Sequence, residues 1–200
     1  MTPDARLDYP ATRRNRAPIL SVLQRVLPSE GGLLVEIASG SGQHGAAMVG
    51  ELPGWRWQPT DLDPDGLASI EAWRVHTANP NLLPALRLDV CAQPWPVSTA
   101  NAVLCCNMIH ISPWACTLGL FAGAASIVDP GGHVITYGPY AIDGVHTSQS
   151  NVAFDRRLRF QDPQWGVRNL EDVVDAAVGF ELLELVAMPA NNFMLVFRRA

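Results

Sequence analysis

Apolar and polar positions along the chain change their period several times. Between Asn15 and Leu27, Ile19, Leu20, Val22, Leu23, Val26 and Leu27 recur at helical spacing, with Pro18 expected in the first turn. Pro28 and Gly31-Gly32 end that pattern. Leu33 to Ala38 is a short apolar run, broken by Glu36 alone, of the kind that forms a buried strand. Ser39-Gly40-Ser41-Gly42 follows at once, and a helix is expected over 43–52. Further strands are expected at 55–60, 85–88, 102–106 and 133–137, and further helices at 64–76 and from Ser112-Pro113 to Val128. Asp63 opens one of these helices, Ser112 is the expected cap of the other, and Asp129-Pro130-Gly131-Gly132 reads as a turn.

Strand and helix thus alternate four to five times, the pattern of a parallel sheet covered on both faces. The end of the chain departs from it. After helices at about 148–159 and 169–178 come two strands, 180–188 and 192–199, joined only by Pro189-Ala190-Asn191. A parallel crossover needs a dozen or more residues, so the last strand must run antiparallel. The fold expected is α/β: a doubly wound, mostly parallel seven-stranded sheet finished by a C-terminal antiparallel hairpin. One domain should cover residues 1–200, with 1–14 loose and 139–170 able to act as a substrate lid.

Composition narrows the chemistry. A chain of 200 residues buries about 70% of its unfolded surface and needs no disulfide or metal staple. All 14 cationic residues are Arg, and there is no Lys. Schiff-base chemistry and an ordinary P-loop are therefore excluded. The net charge of −5 argues against nucleic acid as a partner. No apolar stretch approaches the ~20 residues of a membrane span, and the start shows no export signal. Cys91, Cys105, Cys106 and Cys116 have no metal-ligand spacing, and neither do the five His. A cytoplasmic protein with reduced thiols and no metal is expected. Nothing here speaks to oligomeric state.

Gly40-Ser41-Gly42-Gln43-His44-Gly45 satisfies the GxGxxG string between an expected strand and an expected helix. Glycines there let backbone approach a ligand, and free N–H groups at the helix start favour an anion. Asp61 closes the next strand, where a carboxylate can accept from ribose hydroxyls. A dinucleotide dehydrogenase and an S-adenosylmethionine (SAM) methyltransferase share these features. Three points favour the methyltransferase. Glu36, just before the glycines, is awkward for a pyrophosphate but suits an ammonium and a sulfonium. The short-chain dehydrogenase Tyr-x-x-x-Lys pair cannot exist without Lys. The terminal hairpin is typical of the methyltransferase fold.

Val35-Glu36-Ile37-Ala38-Ser39-Gly40-Ser41-Gly42 resembles the first motif of class I SAM-dependent methyltransferases, with Ala38 where Gly often stands. The resemblance narrows to the domain of unknown function 938 family on several segments. These are Arg14-Asn15 with Pro18-Ile19, the run Asn107 to Trp114, the stretch Ser150 to Arg168, and Pro189-Ala190-Asn191-Asn192. It implies SAM as cofactor, S-adenosylhomocysteine as product and a small-molecule acceptor. It also implies cofactor contacts from Asn15, Glu36, Ala38, Ser39, Gly40, Gly42, Asp61, Leu62, Asp89, Val90, Asn107 and Met108.

The sequence leaves the chemistry at the acceptor open. His110, shortly after the fourth strand, reads either as a general base or as a histidine packed at the helix start. Asp155 and Arg159 read either as catalytic groups or as a surface i, i+4 ion pair. Arg14, Tyr140, Asn151, Arg159, Trp165 and Arg168 are the candidates for holding the acceptor, Tyr140 being preferred to Tyr137 because it lies beyond the end of the fifth strand. The arginines of the stretch 148–168, Arg156, Arg157, Arg159 and Arg168, suggest a carboxylate or phosphate on it. A SAM-binding protein without catalysis, and a nicotinamide-dependent oxidoreductase, remain as alternatives.

Overall fold

A computed structural model describes residues 4–200. The elements in chain order are α1 (Pro10–Val26), β1 (Gly32–Ile37), α2 (Gln43–Met48), β2 (Trp55–Asp61), α3 (Pro64–Thr77), β3 (Leu86–Arg87), β4 (Ala100–Cys106) and α4 (Trp114–Ile127). Then come β5 (Val128–Gly138), β6 (Tyr140–Ile142), β7 (Val145–His146), α5 (Gln149–Gln161), β8 (Arg168–Asn169), α6 (Leu170–Ala176), β9 (Phe180–Met188) and β10 (Asn192–Arg199). Seven strands form one sheet in the order β3-β2-β1-β4-β5-β10-β9. Only β10 runs against its neighbours, pairing antiparallel with both β5 and β9. The mixed sheet with its terminal antiparallel pair is the architecture expected.

Alternation along the strands explains the two cores. On β1, Leu34 joins the cluster under α1 and α2, with Ile19, Leu23 and Met48, whereas Val35 and Ile37 join the cluster under α4 and α6. Both faces of the central strands are buried, which is why they read as continuous apolar runs. Fully burying each such aliphatic side chain stabilises the fold by about 1.5–3 kcal/mol.

Several local expectations need correcting. The first helix begins at Pro10, not Asn15, so residues 10–14 are helical rather than loose. Pro18 then lies inside the helix, where it has no N–H to give the Arg14 carbonyl. A proline that can open a helix was read as opening this one, while Pro10 holds that position. Residues 7–9 are also tied down: Leu7 N–H donates to Ser69 Oγ at 2.8 Å and Tyr9 N–H to Gln43 Oε1 at 2.7 Å. Ser112 is not the cap of α4, which starts after Pro113; its hydroxyl donates to the Met108 carbonyl at 2.8 Å. The turn at 129–132 is a bulge within β5, whose pairing jumps from Ala100–Val128 to Ala102–His133.

The segment 139–170 holds a second, three-stranded sheet, β7-β6-β8, and the helix α5. It packs at the carboxyl ends of β4 and β5: Gly166 N–H donates to the His110 carbonyl at 3.0 Å. Asn151 Nδ2 donates to the Asn191 carbonyl in the hairpin turn, also at 3.0 Å.

Candidate functional site

The site is built where parallel strands end. β1 stops at Ile37, and the backbone turns through Ala38 at φ 53° and Gly40 at φ 57° before Gly42, at φ 82°, starts α2. The left-handed turn at Ala38 explains why glycine suits that position: a β-carbon there costs about 1 kcal/mol. Gly42 is restricted further, because a β-carbon would lie 2.8 Å from the Ile70 backbone. The turn is gripped from β2. Asp61 Oδ2 accepts from Gly40 N–H at 2.7 Å, and its Oδ1 accepts from Asp63 N–H at 2.9 Å. Asp63 in turn caps α3 by accepting from Asp65 N–H.

Beside this turn lies a cavity of about 170 Å³. Ala38, Asp61, Leu62, Asp89, Val90 and Met108 all line it, so six residues singled out from the sequence share one wall. Apolar walls with carboxylates at the rim suit a nucleoside, with a flat base inside and ribose hydroxyls toward Asp61. Asp89 is exposed and caps its own turn by accepting from Cys91 N–H at 2.9 Å. Two features of this cavity gave no signal in the sequence. Gly66, in the first turn of α3, lets that helix approach: a β-carbon there would lie 3.2 Å from Asp61 Cγ. Cys116 lines the cavity from α4, with Cys91 Sγ 3.5 Å from its own sulfur. Burial, first, and that thiol contact push the Cys91 thiol up to about 11.

Asn107, held at φ 63° by a 2.8 Å bond from its N–H to the Tyr137 carbonyl, separates this cavity from a second. The second, about 200 Å³, is walled by Arg14 and Asn15 of α1, Asn107, Tyr137 of β5, and the turn at Pro189–Asn192. Arg14, Asn15 and Asn107 were singled out from the sequence. Asn192 lay within a quoted motif without a role, and Tyr137 was passed over for Tyr140. Burial raises the Tyr137 hydroxyl above its ordinary value, while the neighbouring Asn15, Asn192 and Arg14 oppose the shift.

Other candidates lie elsewhere. Tyr140 is buried in the core and hydrogen-bonded to Thr136 Oγ1 at 2.8 Å, because β6 turns it inward rather than toward the strand ends. Glu36 is 1% exposed and lies on the α1–α2 face of β1, away from the first cavity; its Oε2 accepts from Trp57 Nε1 at 3.0 Å. Ser39 links β1 to β2, its hydroxyl donating to the Glu36 carbonyl and accepting from Thr60 N–H. His110 is packed: Phe154 meets its ring edge-on at 5.5 Å, and burial, then the charge of Arg168, lowers it to about 4.

The lid residues hold the lid together. Asp155 accepts from Arg159 at 2.9 Å and from Val167 N–H at 2.8 Å. Arg168 donates to the carbonyls of Ile109, Ser112 and Gln164, and burial lowers its pKa. Asn151 is buried between Thr147 and Asn191, and the half-buried Trp165 donates its N–H to the Asp162 carbonyl. None of these five lines either cavity. Among the described residues no group of three or more His, Cys, Asp or Glu is placed to hold a metal, and no helix is long and apolar enough to cross a membrane.

A family model described as "Protein of unknown function (DUF938)" matches residues 6–199. Solved structures share the fold. An O-methyltransferase family 2 protein from Planctomyces limnophilus, in complex with apigenin, superposes with a TM-score of 0.77 at 19% identity, over 95% of this chain and 60% of that one. Human N-acetylserotonin methyltransferase, in complex with SAM, gives 0.78 at 14% identity, over 95% and 53%. The chain thus spans three fifths or less of these proteins. A putative methyltransferase from Bacillus halodurans matches along 98% of its own length and 92% of this chain, with a TM-score of 0.71 at 14% identity.

Proposed function

The chain belongs to the DUF938 family, whose description names no reaction, and from the site we propose that it is a SAM-dependent methyltransferase acting on a small molecule. The observation that carries this reading is the adjacency of the two cavities across Asn107-Met108. The first fits a nucleoside, with Asp61 for the ribose hydroxyls, Asp89 and Val90 beside the base, and Leu62 and Met108 as apolar walls. A β-carbon added at Gly40 would meet only Tyr9, 3.9 Å away, which leaves room beside the turn. The solved structures of similar fold include one bound to SAM and one bound to a flavonoid, which supports the same cofactor and a small acceptor here. The four unpaired cysteines suit a reducing, cytoplasmic setting.

SAM, when bound, supplies a methyl group on a sulfonium. The protein's own part is to hold, to orient and to exclude water. Asn107 lies at the boundary across which the methyl group would pass, and positioning of this kind can contribute up to ~7–11 kcal/mol in displacement reactions. The residues of the first cavity would hold SAM and those of the second the acceptor, whose nucleophilic atom would receive the methyl group. His110 is not proposed as the base, since a buried imidazole lowered to about 4 is a poor proton acceptor at neutral pH.

Calorimetry with SAM and S-adenosylhomocysteine tests the reading. Micromolar binding that falls about a hundredfold in Asp61→Ala is the expected result. Binding of NAD or NADP in place of SAM would overturn it. Binding of SAM with no turnover against a metabolite extract would leave a SAM-binding protein without catalysis.

A further inference from the structure

The second cavity has a polarity of its own. In a chain of net charge −5, no carboxylate lines it. Its polar wall is Arg14, Asn15, Asn107, Tyr137 and Asn192. Arg6 pairs with Asp4, Arg13 with Asp8 and Arg25 with Glu184, while Arg16, which makes no ion pair among the described residues, does not line the cavity. Arg14 has no ion-pair or hydrogen-bond partner among the described residues, and its charge acts on the Tyr137 hydroxyl.

Behind the wall runs a buried chain of side chains. Glu36 Oε1, fully enclosed, has no hydrogen bond, and His44 Nδ1 lies 3.4 Å from it. His44 is 6% exposed, and its Nε2 lies 3.0 Å from Asn15 Oδ1. A carbonyl oxygen can only accept, so Nε2 must carry the proton and donate. The Asn15 amide oxygen is thereby engaged, which leaves its NH₂ for the cavity that Asn15 and Tyr137 line together. Tyr137 lines the same cavity, and its O–H can donate into it. His44 thus donates toward the cavity-lining Asn15, and a buried bond of this kind is strengthened in a low-dielectric interior.

We propose that this cavity binds a carboxylate carried by the methyl acceptor, with Arg14 as its ion partner, the Tyr137 hydroxyl as a second donor, and His44 as a positioning residue that orients Asn15. The assignment rests on the methyltransferase reading above and names its substrate class. It moves the anion site from the lid arginines, where the sequence suggested it, to α1. Arg159 and Arg168 are engaged by Asp155 and by backbone carbonyls. A carboxylate is matched by a guanidinium fork, and a hydroxyl proton aimed at the same place adds a third donor.

One other carboxylate could reach the cavity: that of SAM itself. The test separates the two sources. The probes are benzoate and benzamide, equal in shape and differing in charge, titrated by calorimetry into protein saturated with S-adenosylhomocysteine. Benzoate is expected to bind at least tenfold more tightly than benzamide. That preference should vanish in Arg14→Met, an exposed position, and fall severalfold in Tyr137→Phe, while SAM affinity is unchanged. His44→Met, similar in bulk but without a donor, should weaken the preference, and His44→Gln, which can still donate to Asn15, should restore it. Equal binding of the two probes overturns the proposal, as does a preference that survives Arg14→Met or is lost in Arg159→Met. Loss of SAM affinity in Arg14→Met, with 5′-methylthioadenosine binding unaffected, assigns the site to the cofactor's carboxylate and overturns it too. If wild-type protein binds neither SAM nor S-adenosylhomocysteine, the methyltransferase reading fails alone. The two benzoic probes, titrated into ligand-free protein, then still decide the anion site.

Discussion

The two cavities on either side of Asn107-Met108 are made in different ways. The first is made by backbone. Strand ends and the turns after them, at 37–42, 61–63 and 88–90, set its outline, and its key carboxylate is held by two N–H groups. The second is made by side chains from α1, from the ends of β4 and β5 and from the hairpin turn, segments far apart in the chain. A backbone-built site accepts one kind of ligand in one pose. A side-chain-built site can be altered by substitution while the sheet stays intact. The comparison therefore predicts that the two can be damaged separately.

The largest separate effect should come from Asp61→Ala, which removes the acceptor for Gly40 and Asp63 N–H along with the proposed ribose contact. SAM affinity should fall by about 3 kcal/mol, since hydrogen bonds to charged groups contribute about 1.5–3 kcal/mol each. A comparable loss of benzoate binding in the same variant would break the distinction between the cavities.

His110 belongs to neither cavity, and its predicted signature is one of stability. Its folded pKa, about 4, is depressed below the ordinary 6.5, so the unfolded chain takes up the proton first as pH falls. The stabilisation is present above about pH 6.5 and is lost between there and pH 4, by about 3 kcal/mol. Urea denaturation at pH 7 and pH 4.5 should show this loss, and His110→Asn should flatten it. A turnover profile inflected near pH 4 that disappears in His110→Asn would return the residue to the chemistry.

Two tyrosines three residues apart sharpen the contrast. Tyr140→Phe removes a buried bond to Thr136 and should cost about 1 kcal/mol of stability without changing turnover. Tyr137→Phe should do the reverse. The smallest effect is expected in the lid, where Arg159→Met breaks a half-exposed pair with Asp155 worth below about 1 kcal/mol. A fall in turnover there with thermal stability unchanged would contradict the structural role assigned to that pair.

The same contrast explains what could be read from the sequence. The sheet, its antiparallel last strand and the first cavity were legible because local chain chemistry decides them. A buried apolar run, a Gly-rich turn and an Asp at a strand end each act within a few residues. Gly66 was not legible, since its reason is the distance to Asp61 across two elements. Tyr140 was preferred to Tyr137 because position beyond a strand end suggested an outward side chain. The short strand β6 turns it inward instead. The lid arginines looked available because sequence shows charge but not the carbonyls around it. Glu36 was placed at the cofactor by its closeness to the glycines, although strand alternation carries its side chain to the opposite face of β1.

The antiparallel hairpin has a kinetic consequence. Arg14 and Asn15 lie near one end of the chain, and Asn192 near the other, yet they meet across a single small cavity. Closing so long a loop carries a large entropic cost, so the contact should form only once the intervening sheet has brought its ends together. The cofactor turn, made from neighbouring βα units, could be assembled well before that. During refolding, the nucleoside pocket should therefore become able to bind first and the acceptor pocket last, which makes benzoate binding a marker of the completed fold.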